Sequence, residues 1–265
     1  MARAAAFFDL DKTILATSAS LALTRPLLRS GLITRRDIAR SAQAQIAYHL
    51  LDTSHERSER MKDALAEMVR GWSVAEFDAI VAEALTTEIE PVVYLEALDA
   101  ISAHHAAGHD VVIVSASADA IVRPVMHLLG ADGMIASRLE STDGRYTGVI
   151  ESYNYGPAKP AAMAEMARHH GWDLAECWAY SDSITDEPLL RAVGHPVAVN
   201  ADRALARIAR AEGWDTVVWR RPVPLRSPAR HSTLVTAGVL AAAVLALWLV
   251  RRGRRRRPPA PSSSR

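Results

Sequence analysis

The feature that most constrains this chain is a short apolar run, Ala4 to Phe8, that meets two carboxylates, Asp9 and Asp11, two positions apart. An unbroken apolar run of that length suits a strand buried on both faces, and parallel sheets deliver functional groups at the carboxyl ends of such strands. Similar runs follow at Val111 to Val114, Met134 to Ala136, Trp178 to Tyr180, Pro196 to Val199 and Thr216 to Trp219. Between most of them lie helix-length periodic stretches: Pro91 to Ala107, Ala120 to Leu129, Pro160 to His170, Asp186 to Ala192 and Arg203 to Ala211. Gly108, Gly130, Gly171 and Gly213 are placed to stop four of them. The alternation predicts an α/β layer structure with an open, parallel sheet.

Two stretches break the pattern. From Ala16 to Glu90 nothing reads as a strand, while Thr34 followed by Asp37, and Ser73 followed by Glu76, have the spacing of capped helix starts. Residues 16–90 therefore read as a helical insertion between core segments 1–15 and 91–219, placed directly after the acidic pair where it can act as a lid. The second break is Ser137 to Ser152, where Asp143-Gly144 between extended runs predicts a β-hairpin.

The charge is divided unevenly. Residues 1–219 hold 20 Lys or Arg against 30 Asp or Glu, whereas residues 220–265 hold 11 Arg and no acid. The near-neutral total thus hides an acidic body with a basic end. Clustered Arg can neutralise nucleic-acid phosphates, but Thr233 to Val250 carries no charge and, as a helix, rises roughly 27 Å, close to the thickness of a hydrocarbon core. The reading is a basic linker at 220–232, a transmembrane or membrane-embedded helix at 233–250, and a basic disordered tail at 251–265, with membrane and not nucleic acid as the partner. Ala4 to Phe8 is too short for a signal-peptide core, and the single cysteine, Cys177, suits a reducing compartment. The expectation is a membrane-associated protein whose catalytic part faces the cytoplasm.

Laying the strands parallel brings four separated pieces together: Asp9-Leu10-Asp11-Lys12-Thr13, Ser115, Lys159, and Asp182 with Asp186. Each lies at or just after the carboxyl end of a strand. Taken singly, an Asp-x-Asp pair is a solvated loop, a serine caps a helix and a lysine is a surface cation. Their order, spacing and apolar lead-ins make the set specific.

In these pieces the sequence resembles the haloacid dehalogenase (HAD) phosphatases, in particular the branch of phosphoserine phosphatases and related hydrolases with a helical cap. FFDLDKT corresponds to the family's first motif, VVIVSAS to the second, YGPAK to the third and YSDSITDEPLL to the fourth. The resemblance covers roughly residues 5 to 219 and implies a Rossmann-like core and a magnesium-dependent phosphomonoesterase. It implies Asp9 as nucleophile, Asp11 as general acid and base, and Ser115 and Lys159 as phosphate ligands. The metal ligands would be Asp9, Asp11 through its backbone carbonyl, and Asp182, with Thr13 and Asp186 in support.

The chemistry supplies reasons for these residue types. A phosphomonoester dianion repels an incoming carboxylate, so attack needs cations that neutralise both. Magnesium prefers oxygen ligands, and a lysine adds a fixed charge. Asp11-Lys12-Thr13 also resembles the phosphorylated Asp-Lys-Thr of P-type pumps, but one membrane segment does not make a transporter. By count, Ser18 or Ser20 stands where phosphoserine phosphatases carry a cap glutamate, and Thr185 where they often carry Asn. The substrate class that remains is a small organic phosphate or a phosphorylated head group. Phosphotransfer, phosphoserine hydrolysis and a non-catalytic tethered binding module are the alternatives. His104, His105 and His109 lack ligand spacing and read as solvated or capping residues; the tryptophans of the acidic body read as packing groups.

Overall fold

The computed structural model describes residues 3–38 and 54–222. The proposed membrane segment 233–250, the tail 251–265 and all of the linker after Pro222 lie outside the described residues. Among the described residues no helix is long and apolar enough to cross a membrane. The chain divides into two units, Met1–Leu225 and Arg226–Arg265, and the architecture below is that of the first.

Its centre is β1 (Ala5–Asp9), flanked by β2 (Asp110–Ala118) and β5 (Trp178–Ser181). Outward from β2 lie β3 (Gly133–Thr142) and β4 (Arg145–Ser152); outward from β5 lie β6 (His195–Val199) and β7 (Asp215–Val217). The pairings are parallel except β3 with β4. All five residues of β1 are buried, and alternation divides them between two cores. Ala6 and Phe8 pack with Val111 and Ile113 on one face, Ala5 and Phe7 with Val112 and Val114 on the other. Each buried phenylalanine contributes roughly 2–3 kcal/mol, so neither face of this strand can be turned to water.

The described residues that follow β1, up to Val92, form helices and turns and no strand of the sheet. α1 (Ala19–Ser30) is capped by Ser18, whose Oγ accepts from the Leu21 N–H at 3.3 Å, and it stops at Gly31 with φ +81°. After α2 (Ser54–Val69), α3 (Val74–Ala84) starts at Ser73, which accepts from the Glu76 N–H at 3.3 Å. Thr34 and Asp37 also cap reciprocally, at 2.8 and 3.3 Å. The chain enters and leaves the insertion through adjacent points: the Ala16 N–H donates to Val92 O at 2.7 Å and the Tyr94 N–H to Ile14 O at 2.9 Å.

That last contact corrects the helix expected at Pro91 to Ala107. A π-turn (Leu85–Ile89) and a 3-10 turn (Glu90–Val92) precede it, Val93 and Tyr94 are drawn out to bond the β1 exit, and α4 begins only at Leu95, running to Ala106. The core continues with α5 (Asp119–Leu129), α6 (Ala158–His170), α7 (Glu187–Arg191) and α8 (Arg203–Glu212). Gly130, Gly171 and Gly213 end three of these in the left-handed conformation.

The hairpin forms where Asp143-Gly144 predicts it, with both residues at positive φ, 51° and 74°. It is also fastened to the insertion. The Gly71 N–H donates to Tyr146 O, the Tyr146 N–H to Trp72 O and the Val74 N–H to Gly144 O, at 2.8, 3.0 and 3.0 Å. Arg70 reaches Thr147 O at 2.7 Å and packs so closely that a Cβ on Gly148 would come within 2.9 Å of its guanidinium carbon. The segment joining α2 and α3 is thus bonded to the hairpin turn and to β4.

One histidine departs from its expected exposure. His104 is buried, with Nε2 2.9 Å from the Tyr180 hydroxyl and Nδ1 3.0 Å from His109 Nδ1. Its partner Tyr180 is 76 residues away, so only the pairing of sheet and helix brings them together.

Candidate active site

The β1 strand delivers Asp9 beside Val114 of β2, and Phe8 lies opposite Tyr180 of β5. Ser181 and Asp182 thus emerge at the same end of the sheet as Asp9. Immediately after Asp9 the chain turns sharply: Leu10 O accepts from both Ile14 and Leu15 N–H groups, at 3.1 and 3.0 Å, and Lys12 sits at φ +62°. A left-handed lysine is an unfavoured conformation, held here by its own N–H donating to Thr17 O at 3.2 Å.

Lys159, in the first turn of α6, is buried between two carboxylates, 2.7 Å from Asp9 Oδ1 and 2.8 Å from Asp186 Oδ2. The Ser181 hydroxyl donates to the same Asp186 oxygen at 2.7 Å. Burial pushes the Asp9 carboxyl up to about 8; Lys159 pulls it down and Asp186 pushes it further up. Burial opposes the lysine's charge, but Asp9 and Asp186 hold it above the ordinary lysine range. One ammonium thus serves two buried acids, an arrangement that leaves negative charge uncompensated.

Asp11 points toward α1. Its Oδ1 accepts the Ala19 N–H at 2.7 Å, so it caps the start of α1 jointly with Ser18. Burial raises its pKa, while the Ala19 N–H, Lys159 and Lys12 lower it. Asp182 is raised by burial to about 6, with Lys12 pulling down and Asp186 pushing up. Thr13 is fully buried, and among the described residues its hydroxyl has no partner.

Ser115 is not beyond the strand end, as the sequence suggested. β2 continues to Ala118 because β3 is long enough to pair with it again, after a register shift between Val114 and Ala118. The serine sits in that irregular stretch, its Oγ accepting the Ser117 N–H at 3.1 Å. The site residues inferred from sequence are thus brought to one end of the sheet. Missed were Ser181, Ser137 and Asn154. Asn154 donates from Nδ2 to Ser115 O and Ile135 O, at 2.9 and 3.0 Å, and its N–H donates to Ser137 Oγ at 3.0 Å.

Four acids, Asp9, Asp11, Asp182 and Asp186, face two lysines, Lys12 and Lys159, in a donor set made of oxygen. The excess negative charge and hard ligands fit a divalent cation such as magnesium. Among the described residues no three acid, His or Cys side chains are grouped to hold a metal ion alone.

The model of haloacid dehalogenase-like hydrolases matches residues 6–191. A protein from Streptomyces azureus named for inhibition of morphological differentiation is 45% identical over 262 residues, covering 95% of this chain and 95% of its own. A probable phosphatase of Mycobacterium tuberculosis is 44% identical over 259 residues, covering 95% and 90%. A crystal structure of a protein of unknown function from Bordetella pertussis superposes with a TM-score of 0.71 at 30% identity, covering 82% of this chain and 99% of that one.

Proposed function

Because this chain belongs to the haloacid dehalogenase-like hydrolase family and is a phosphatase of that family, we propose that it hydrolyses small phosphomonoesters through a phosphorylated Asp9. The observation that carries this reading is the buried Asp9 carboxylate at the end of the central strand, held by Lys159 at 2.7 Å.

Asp9 attacks phosphorus; its bond to phosphorus forms as the ester oxygen departs with the bonding pair. Asp11 gives the departing alcohol its proton, and then takes a proton from the water that attacks the aspartyl phosphate, releasing inorganic phosphate and regenerating Asp9. The elevated pKa of Asp11, caused by burial, suits a group that must carry a proton in one step and accept one in the next. Lys159 and the Ser115 hydroxyl hold the phosphoryl oxygens. Magnesium, used by phosphatases of this family, would be held by Asp9, Asp182 and the Asp11 carbonyl and would neutralise phosphate charge there. Asp186, fixed by Ser181, keeps Lys159 aimed at Asp9.

Brief reaction with a labelled phosphoester, acid quench and peptide mapping should find phosphate on Asp9. Label on Asp11 would transfer the nucleophile's role, and label passing to an added alcohol in place of water would make the protein a phosphotransferase.

A membrane-presented head group is a second reading of the substrate, and it rests on the uncharged apolar segment at 233–250 of the sequence. The last described residues return to the catalytic rim: the Leu95 N–H donates to Arg221 O at 2.8 Å, Glu96 accepts the Arg220 and Arg221 N–H groups, and Pro222 bridges to Tyr94. Tyr94 is bonded to the β1 exit and feels the charge of Asp182. An apolar segment at 233–250 embedded in the cytoplasmic face of a membrane would raise the effective concentration of a membrane-presented substrate. Deleting residues 231–265 should leave soluble aryl phosphate turnover intact and lower activity on phosphorylated head groups in vesicles. Equal activity on both would remove the membrane from the account.

A further inference from the structure

Asn154 follows the hairpin and is buried. Both hydrogens of its amide go to main-chain carbonyls, of Ser115 and Ile135, which belong to neighbouring strands. Its own N–H goes to the Ser137 hydroxyl, and that hydroxyl donates to Ala116 O at 2.7 Å. The irregular stretch of β2, where regular pairing with β3 lapses between Val114 and Ala118, is thereby held at two consecutive carbonyls by side chains.

The amide oxygen of Asn154 is buried with no hydrogen-bond partner among the described residues. Leaving an acceptor unmet costs stability, and an apolar side chain would avoid the cost. Its orientation is thus dictated by the two carbonyls to which the amide nitrogen donates. With Ser115 O tied down and the Ser117 N–H occupying a lone pair of Ser115 Oγ, the Ser115 hydroxyl hydrogen is left to donate elsewhere. Asn154 also opens the turn that leads, through Gly156 at φ +54°, to the first helical turn carrying Lys159.

We propose that Asn154 is a positioning residue that fixes the Ser115 hydroxyl toward the phosphoryl group by clamping the Ser115 and Ile135 carbonyls across β2 and β3. The inference rests on the reading of Ser115 as a phosphate ligand.

The test uses the full chain, with p-nitrophenyl phosphate as substrate and inorganic phosphate as competitive inhibitor. S115A should weaken inhibition by phosphate, and N154A should weaken it about tenfold, the scale of one lost charge-assisted hydrogen bond. In the S115A background the same N154A change should move the inhibition constant less than about twofold, because the clamp then has nothing to aim. A merely structural Asn154 would lower thermal stability and weaken phosphate by the same factor in both backgrounds, and that result overturns the proposal. S137A, which removes the bond to Ala116 O, should reproduce the pattern at smaller size and decides the matter if N154A does not fold; an unchanged inhibition constant in a folded S137A would count against the clamp. If S115A itself leaves phosphate inhibition unaltered, the ligand reading of Ser115 fails, a result distinct from equal N154A effects on a working S115 ligand.

Discussion

At the carboxyl end of the parallel strands the molecule buries charge; at the amino end, on the helix packed beside it, it buries the uncharged imidazole of His104. Lys159 joins Asp9 at 2.7 Å and Asp186 at 2.8 Å, with Asp182 and Asp11 nearby. Toward the other end, Trp178 is stacked between His109 and His195, with ring centroids 4.6 and 4.3 Å away, and His104 is joined to Tyr180 and His109. Both regions remove titratable groups from water, by opposite means. The carboxyl end keeps ions and leaves their balance to be completed by what binds; the amino end keeps its imidazole uncharged. The contrast separates residues retained for chemistry from residues retained for packing.

The sharpest way to break this comparison is to neutralise each end and ask what is lost. Asp9→Asn should reduce kcat for an aryl phosphate by at least about 10³-fold, as loss of a covalent nucleophile does, with thermal stability held or raised because a buried charge is gone. A variant keeping a tenth of the activity would return Asp9 to a structural role. Lys159→Met acts on folding as well as turnover. It strands two carboxylates without their cation, and breaking a buried ion pair in this way costs about 3–5 kcal/mol. Urea unfolding measures this directly, and a loss below about 1 kcal/mol would mean that the acids have already taken up protons.

The comparison also marks what sequence could reveal. The buried strand ending in Asp9 was legible because burial on both faces leaves no polar position, and the Asp143-Gly144 turn because few residue pairs accept two positive φ angles. Asp182, Asp186 and Lys159 could be assembled from their order and apolar lead-ins. Asn154 could not, since an asparagine between a hairpin and a proline reads as an ordinary turn residue until the carbonyls it clasps are known. His104 was misread for a related reason. At a helix C-terminus a histidine is well placed against the dipole, and nothing local announces a tyrosine 76 residues away. The extension of β2 beyond Val114 was hidden because its pairing depends on the length of β3. Sequence thus revealed the candidate catalytic groups more readily than the residues that hold them.

The pH dependence of stability should differ in sign between the two ends. Burial, reinforced by His109 and His105, lowers the His104 pKa from 6.5 to about 4. The unfolded chain then binds more protons between those values, so stability is full above about pH 6.5 and is lost as pH falls toward 4. Each unit is worth about 1.4 kcal/mol, giving a fall on the order of 3–4 kcal/mol. His104→Gln, which keeps a hydrogen-bonding side chain, should flatten that limb of the profile; an unchanged slope would place the acid sensitivity elsewhere.

Asp182 gives the smaller effect and the opposite direction. Its pKa is raised from 3.8 to about 6, chiefly by burial, so the folded chain binds more protons in that window and metal-free stability falls as pH climbs through it. Because the carboxyl is still partly solvated, the fall is about 1–2 kcal/mol. In Asp182→Asn the decline between pH 4 and 6 should shrink by that amount while the His104 limb persists. Magnesium should restore stability to the parent chain at the upper end of the window, since a ligand that binds only the folded, ionised site stabilises by mass action. It should do so much less in the variant. Equal stabilisation of the two by magnesium would remove Asp182 from the ion's ligands, and the charged end of the sheet would then need another account of how its excess carboxylates are balanced.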